Sequence, residues 1–107
     1  MFNDNLKITE IMQEAVTLSR ETFGDALRQV WLFGSYARRE ATEDSDIDFC
    51  VVLSEPVETW KYDFTMDILN RYDEVPSVFI TDEVRFTESK IPVYEAIKEE
   101  GVLYYGA

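Results

Sequence analysis

Histidine is absent from this chain of 107 residues. That absence excludes a Ser-His-Asp triad, a histidine general base and histidine metal ligands together. Cysteine is nearly absent, and Cys50 alone cannot form an internal disulfide. It lies inside an apolar run, so a buried, inert thiol is the expected state, in keeping with a reducing cytoplasm. Basic residues are scarce: 10 Lys and Arg stand against 22 Asp and Glu, for a net charge of -12. Such a surface repels nucleic-acid phosphates, whose binding comes largely from Lys and Arg displacing counterions, and it disfavours anionic membranes. Direct nucleic-acid binding and membrane binding are therefore not expected. A basic protein or a metal-neutralised nucleotide fits the charge better, although solubility alone also accounts for it. No apolar run approaches the roughly 18 residues of a membrane span. Residues Met1-Phe2-Asn3-Asp4-Asn5 lack the basic start and apolar stretch of a signal peptide. Internal repeats, low-complexity tracts and flexible linkers are missing too.

What is present suffices for one packed domain over residues 1–107, with 46% hydrophobic and 14% aromatic content. Ile8, Ile11, Met12, Ala15 and Val16 recur at helical spacing and predict an amphipathic helix from about Leu6 to Thr22. Asp4 or Asn5 can cap its start, and Gly24 lies just past its end. Val30 to Phe33 reads as a short buried strand, and Ile47 to Leu53 as a second, apolar on both faces beyond Asp48. Ala37 to Ala41 suits one helical turn. Ser54-Glu55-Pro56 has the cap and early proline of a helix start. Val57, Trp60, Phe64, Ile68 and Leu69 then trace a core-facing stripe to about Tyr72. Val75 to Thr81 is a third strand, with Pro76 near its beginning where a missing N–H costs least. Ser89 is placed to cap a last helix carrying Ile91, Tyr94 and Ile97, stopped by Gly101. Val102-Leu103-Tyr104-Tyr105 fits either a terminal strand or a packed tail. The order α-β-β-α-β-α, with about a dozen residues between the first two strands, is too long-looped for a tight hairpin there. The fold class is α/β (α+β): a small mixed β-sheet with helices packed mainly on one face.

Ten residues separate Gly34-Ser35 from Asp46-Ile47-Asp48. Strand alternation puts Asp46 and Asp48 on one face and turns Ile47 and Phe49 into the core. Two carboxylates this close repel, and one takes up a proton unless a cation lies between them. Mg²⁺ takes oxygen ligands and commonly binds through one or two carboxylates plus substrate phosphates. Gly34 lets a phosphate approach the backbone, and Ser35 adds a hydroxyl and leads amides that can face it. Arg38 and Arg39 can reach a phosphate or pair with Glu40, Glu43 or Asp44. Ser45 can bind a ligand or cap its own turn.

The stretch from Phe33 to Asp48, with its Gly34-Ser35-x10-Asp46-x-Asp48 spacing, resembles the signature of the DNA polymerase β-like nucleotidyltransferase superfamily. It is most similar to the minimal nucleotidyltransferase (MNT) branch, and element lengths are compatible across nearly the whole chain. The resemblance implies a Mg²⁺-dependent enzyme, with one or two ions, that moves AMP from ATP to a hydroxyl. It implies Asp46 and Asp48 as catalytic metal ligands and Gly34 and Ser35 as nucleotide-binding residues. It also implies an antitoxin whose partner is a helical HEPN-domain ribonuclease toxin. Two positions depart from the pattern. Arg39 stands where the branch often has glycine. A third acid is implied on the neighbouring strand, but the centre of Val75-Pro76-Ser77-Val78-Phe79-Ile80 has none. Asp73 and Glu74 precede that strand, Asp82 follows it, and Ser77 offers only a hydroxyl. A module that keeps the shape and inhibits its partner by contact is the alternative reading. An aminoglycoside-type transferase fits less well, for want of a second domain to hold the acceptor.

Overall fold

The computed structural model describes residues 5–42, 44–62 and 64–106, and leaves the side chains of Asn5, Leu6 and Trp60 outside the description. The helix cap expected at Asp4, the ion-pair partner expected at Glu43 and the core role of the Trp60 ring all fall outside the described parts.

Four strands form one mixed sheet in the order β3-β2-β1-β4. They are β1 (Leu27–Phe33), β2 (Ile47–Leu53), β3 (Pro76–Asp82) and β4 (Val102–Tyr105). β1 pairs antiparallel with both β2 and β4, while β2 and β3 run parallel. The tail alternative for Val102–Tyr105 is thereby settled in favour of a strand.

The central β2 is buried almost throughout because both of its faces are covered. Ile47, Phe49, Val51 and Leu53 enter the larger core, whereas Cys50 and Val52 enter a smaller one on the opposite face. The larger core is roofed by α1 (Asn5–Phe23) and α2 (Thr65–Tyr72). The predicted stripe of α1 is real: Ile11, Met12 and Ala15 are fully buried, and Ile8 nearly so. Ser19 is buried on the same helix, and its hydroxyl donates to the Ala15 carbonyl at 2.7 Å. Gly24 follows α1 at φ +54, a conformation that ends the helix without a Cβ penalty. The smaller core is roofed by α3 (Glu83–Glu88) and α4 (Pro92–Glu100), through Phe86, Tyr94 and Ile97. The main helical layer thus lies on one face, as expected, and a second layer, which the sequence reading did not include, covers the other.

The helix expected from Ser54 to Tyr72 begins only at Thr65. Ser54 does not cap it, because its N–H donates to the Ala26 carbonyl at 2.8 Å and so extends the β1–β2 pairing. A short 3-10 turn spans Thr59–Lys61, and Tyr62 is extended. The Tyr62 ring meets Phe23 at 4.7 Å between centroids, and Phe64 lies 6.4 Å from the same ring. Aromatic packing against the end of α1 therefore outweighs the modest helix propensity of Val57, Thr59 and the aromatics. Val57 and Phe64 still reach the core without a helix.

The last helix also differs. Asp82 caps α3, accepting from the Arg85 N–H at 3.0 Å. Ser89 closes α3 rather than opening α4. Its hydroxyl accepts from the Ile91 N–H at 3.2 Å, and Pro92 takes the first helical position. Ile91 is consequently exposed, whereas Ile97 is fully buried. Ile97→Ala is expected to lower unfolding free energy by about 2–5 kcal/mol, and Ile91→Ala by under about 0.5 kcal/mol. Urea denaturation of the two variants measures the difference.

Candidate functional site

β1 ends at Phe33, and the chain leaves it through Gly34 at φ +78. Two constraints require glycine here. The backbone is left-handed, and a Cβ at this point would overlap the Asp48 carboxylate, whose carbon would lie only 3.2 Å away. The next five residues form a closed turn. Arg38 N–H donates to the Gly34 carbonyl at 3.1 Å, and Glu40 N–H donates to the Ser35 carbonyl at 2.9 Å. Tyr36 is buried in the larger core, with Ala37 and Ala41 packed beside it, and so pins the turn to the sheet.

Arg39 takes φ +61 within this turn. The loop therefore keeps the left-handed geometry that glycine favours, with an arginine bearing the strain. That conformation costs a non-glycine residue about 1–2 kcal/mol. Glycine's freedom in the unfolded chain offsets about 0.4–1 kcal/mol of any relief. Arg39→Gly should therefore stabilise the protein by about 0.5–1 kcal/mol, as read from thermal or urea unfolding.

The connection to β2 is closed by Ser45. Its hydroxyl accepts from the Thr42 N–H at 2.8 Å, and its own N–H donates to the Thr42 carbonyl at 3.1 Å. Of the two readings of Ser45, the structure displays the turn cap. Asp46 is exposed and Asp48 half-buried, while Ile47 and Phe49 between and beyond them point into the larger core. Asp48 thus occupies the head of the middle strand of three. Phe33 of β1 is its register partner on one side, and Ser77 of β3 on the other.

Burial pushes the Asp48 carboxyl above the usual carboxylate range. A hydrogen bond from Ser77 and the positive charge of Arg38 pull the other way, while the negative charge of Asp46 adds to the rise. Arg38 is itself held by two carboxylates, at 2.8 Å from Glu40 and 3.5 Å from Glu100 at the end of α4. Sequence reasoning named Glu40 as a partner and missed Glu100, which only the folding of α4 onto the sheet brings near.

Two of the acids flanking β3, Glu74 and Asp82, are engaged elsewhere. Glu74 pairs with Lys7 at 2.8 Å, Asp82 caps α3 at the far end of the strand, and Asp73 closes α2 in a left-handed conformation. Among the described residues no group of three or more His, Cys, Asp or Glu comes together. Cys50, two residues along β2, is fully buried and its thiol is pushed up to about 12, so it stays protonated. Tyr104 and Tyr105 pack against the larger core, and the Arg20 guanidinium lies 5.8 Å from the Tyr105 ring centre.

The raised Asp48 value has a consequence for stability. The native state binds this proton more tightly than the unfolded chain does. Ionised Asp48 therefore weakens the metal-free fold above its raised range, and that loss disappears as pH falls below the ordinary value of about 3.9. Asp48→Asn should be at least as stable as the parent at pH 7, with its advantage vanishing in acid. Parallel urea titrations of the metal-free proteins across this pH interval measure it.

Residues 12–104 match the nucleotidyltransferase domain family, and the chain belongs to it. Two Methanocaldococcus jannaschii proteins, both named "Putative protein adenylyltransferase", are similar. One is 27% identical over 95 residues, covering 88% of this chain and 94% of its own length. The other is 41% identical over 49 residues, which span 46% of this chain but 33% of that protein. The fold is shared with a chain of the solved complex of a tri-AMPylated Shewanella oneidensis HEPN toxin with its MNT antitoxin. That likeness has a TM-score of 0.60 and 19% identity, and covers 94% of this chain and 73% of the other. Among the described residues no helix is long and apolar enough to cross a membrane.

Proposed function

We propose that this chain is an adenylyltransferase acting on a protein hydroxyl, with ATP as the nucleotide and a HEPN-domain toxin as the acceptor. It would act in the cytoplasm as the antitoxin of the pair. The observation that carries the reading is the contact between the Gly34 turn and Asp48, with Asp46 beside it. Family membership, the names of the two archaeal relatives and the fold shared with the Shewanella complex support it.

The residues fit a divalent cation. Two carboxylates lie two residues apart at the start of β2, one of them is made more basic by burial and by the other's charge, and Ser77 stands beside it. An all-oxygen set of this kind suits Mg²⁺, and Asp46 and Asp48 would hold one or two ions. When bound, Mg²⁺ neutralises phosphate charge and steadies the attacking and leaving oxygens of an in-line displacement. Gly34 makes room for the Asp48 carboxylate against the turn that would bind the triphosphate, and Ser35 would contribute its hydroxyl. In the transfer, the acceptor oxygen bonds to the α-phosphorus while the bond from that phosphorus to the β-phosphate oxygen breaks. Pyrophosphate leaves with the electron pair, and the hydroxyl proton passes to solvent.

One observation favours a second reading. Ser77 sits at the register position where a third carboxylate is implied, which suits a module that restrains its partner by contact. Incubation with Mg²⁺, labelled ATP and a HEPN-domain partner separates the two. Transfer of label, with an AMP mass increment on the partner, is the expected result. A stable complex without transfer supports contact inhibition. Replacing both Asp46→Asn and Asp48→Asn should reduce transfer to the background rate while circular dichroism remains that of the parent; undiminished transfer would refute the assignment.

A further inference from the structure

β2 and β3 are parallel and in register, so Ser77 stands directly beside Asp48. In a parallel in-register pair the two side chains project from the same face, which puts the Ser77 hydroxyl within reach of the Asp48 carboxylate and favours its ionised form. An ionised carboxylate only accepts, so Ser77 is the donor. On the other flank the register partner is the apolar Phe33, and Gly34 after it, against which the carboxylate lies, has no side chain with which to hold it. Of the acids near Ser77 in sequence, Glu74 pairs with Lys7 and Asp82 caps α3.

We propose that Ser77 is the positioning residue of this site, its hydroxyl fixing the Asp48 side chain in one orientation and leaving the remaining carboxylate lone pairs to a divalent cation. This rests on the metal-binding reading of Asp46 and Asp48. A hydroxyl does here what a third carboxylate would not. A carboxylate at position 77 would add a like charge beside Asp48, whereas the serine donates a proton to it. Outer donors of this kind orient metal-binding carboxylates, and their loss typically costs about 10–100-fold in metal affinity. Arg38 acts from the loop side as a charge, without a side-chain hydrogen bond to Asp48 to compete with that of Ser77.

The test uses the full chain and Mn²⁺ as the probe, with free Mn²⁺ followed by electron paramagnetic resonance. Ser77→Thr keeps the hydroxyl, and Ser77→Val is its isostere without one; both suit a strand. Ser77→Ala removes the hydroxyl with the least change in bulk. Affinity for Mn²⁺ is expected to fall about tenfold in the Ala and Val variants and to stay near the parent's in the Thr variant. A merely structural role would move the thermal midpoint and leave the Thr–Val contrast absent. Equal affinities for Thr, Val and Ala, with loss in the variant carrying Asp46→Asn and Asp48→Asn, would overturn the role of Ser77 alone. Parent-like Mn²⁺ binding by that double variant would overturn the metal reading itself.

Discussion

Partial removal of one carboxylate from water governs the arrangement around it. Asp48 heads a strand that is dry on both faces, so its charge lies at the boundary between core and solvent. Bulk on either flank would displace it, and an apolar flank would leave it without a donor. The chain meets both conditions with small residues against the carboxylate, Gly34 just past the end of β1 and Ser77 on β3. Arg38 adds positive charge from the loop. An anion in this frame is ill at ease alone and better matched to a positively charged ligand.

The second helical layer matters for the same reason. Cys50 and Val52 share the face of β2 from which Asp48 projects, and both lie under α3 and α4. α4 ends with Glu100 beside Arg38. The smaller core thus does more than shield the sheet: it brings Glu100 to Arg38, whose charge acts on Asp48.

Much of the candidate site was legible because its parts are close in sequence. Gly34, Ser35, Asp46 and Asp48 belong to two adjacent antiparallel strands and the loop joining them, so local spacing locates them together. Ser77 was visible as the polar residue at a strand centre, but its partnership with Asp48 depends on the register of a parallel pair, which no local pattern fixes. Glu100 was hidden because only the packing of α4 on the sheet brings it to Arg38. Ahead of Thr65 the predicted helical stripe met chain with only a short 3-10 turn, where Tyr62 and Phe64 pack against Phe23 instead. α3 is under two turns long and produced no periodic signal; Asp82 was its cue, the kind of side chain that starts a helix. The two-sided apolarity of β2 was the available sign of a second roof.

β1 sits between β2 and β4, and its outer neighbour is the strand made last among those described. During synthesis, residues 27–33 must wait with one row of N–H and C=O groups unpaired until residues 102–105 leave the ribosome. Long-range closure of this sort is slow compared with local pairing. Proteolysis ahead of residue 102 would recreate the same bare, apolar margin, a template for clumping with other copies.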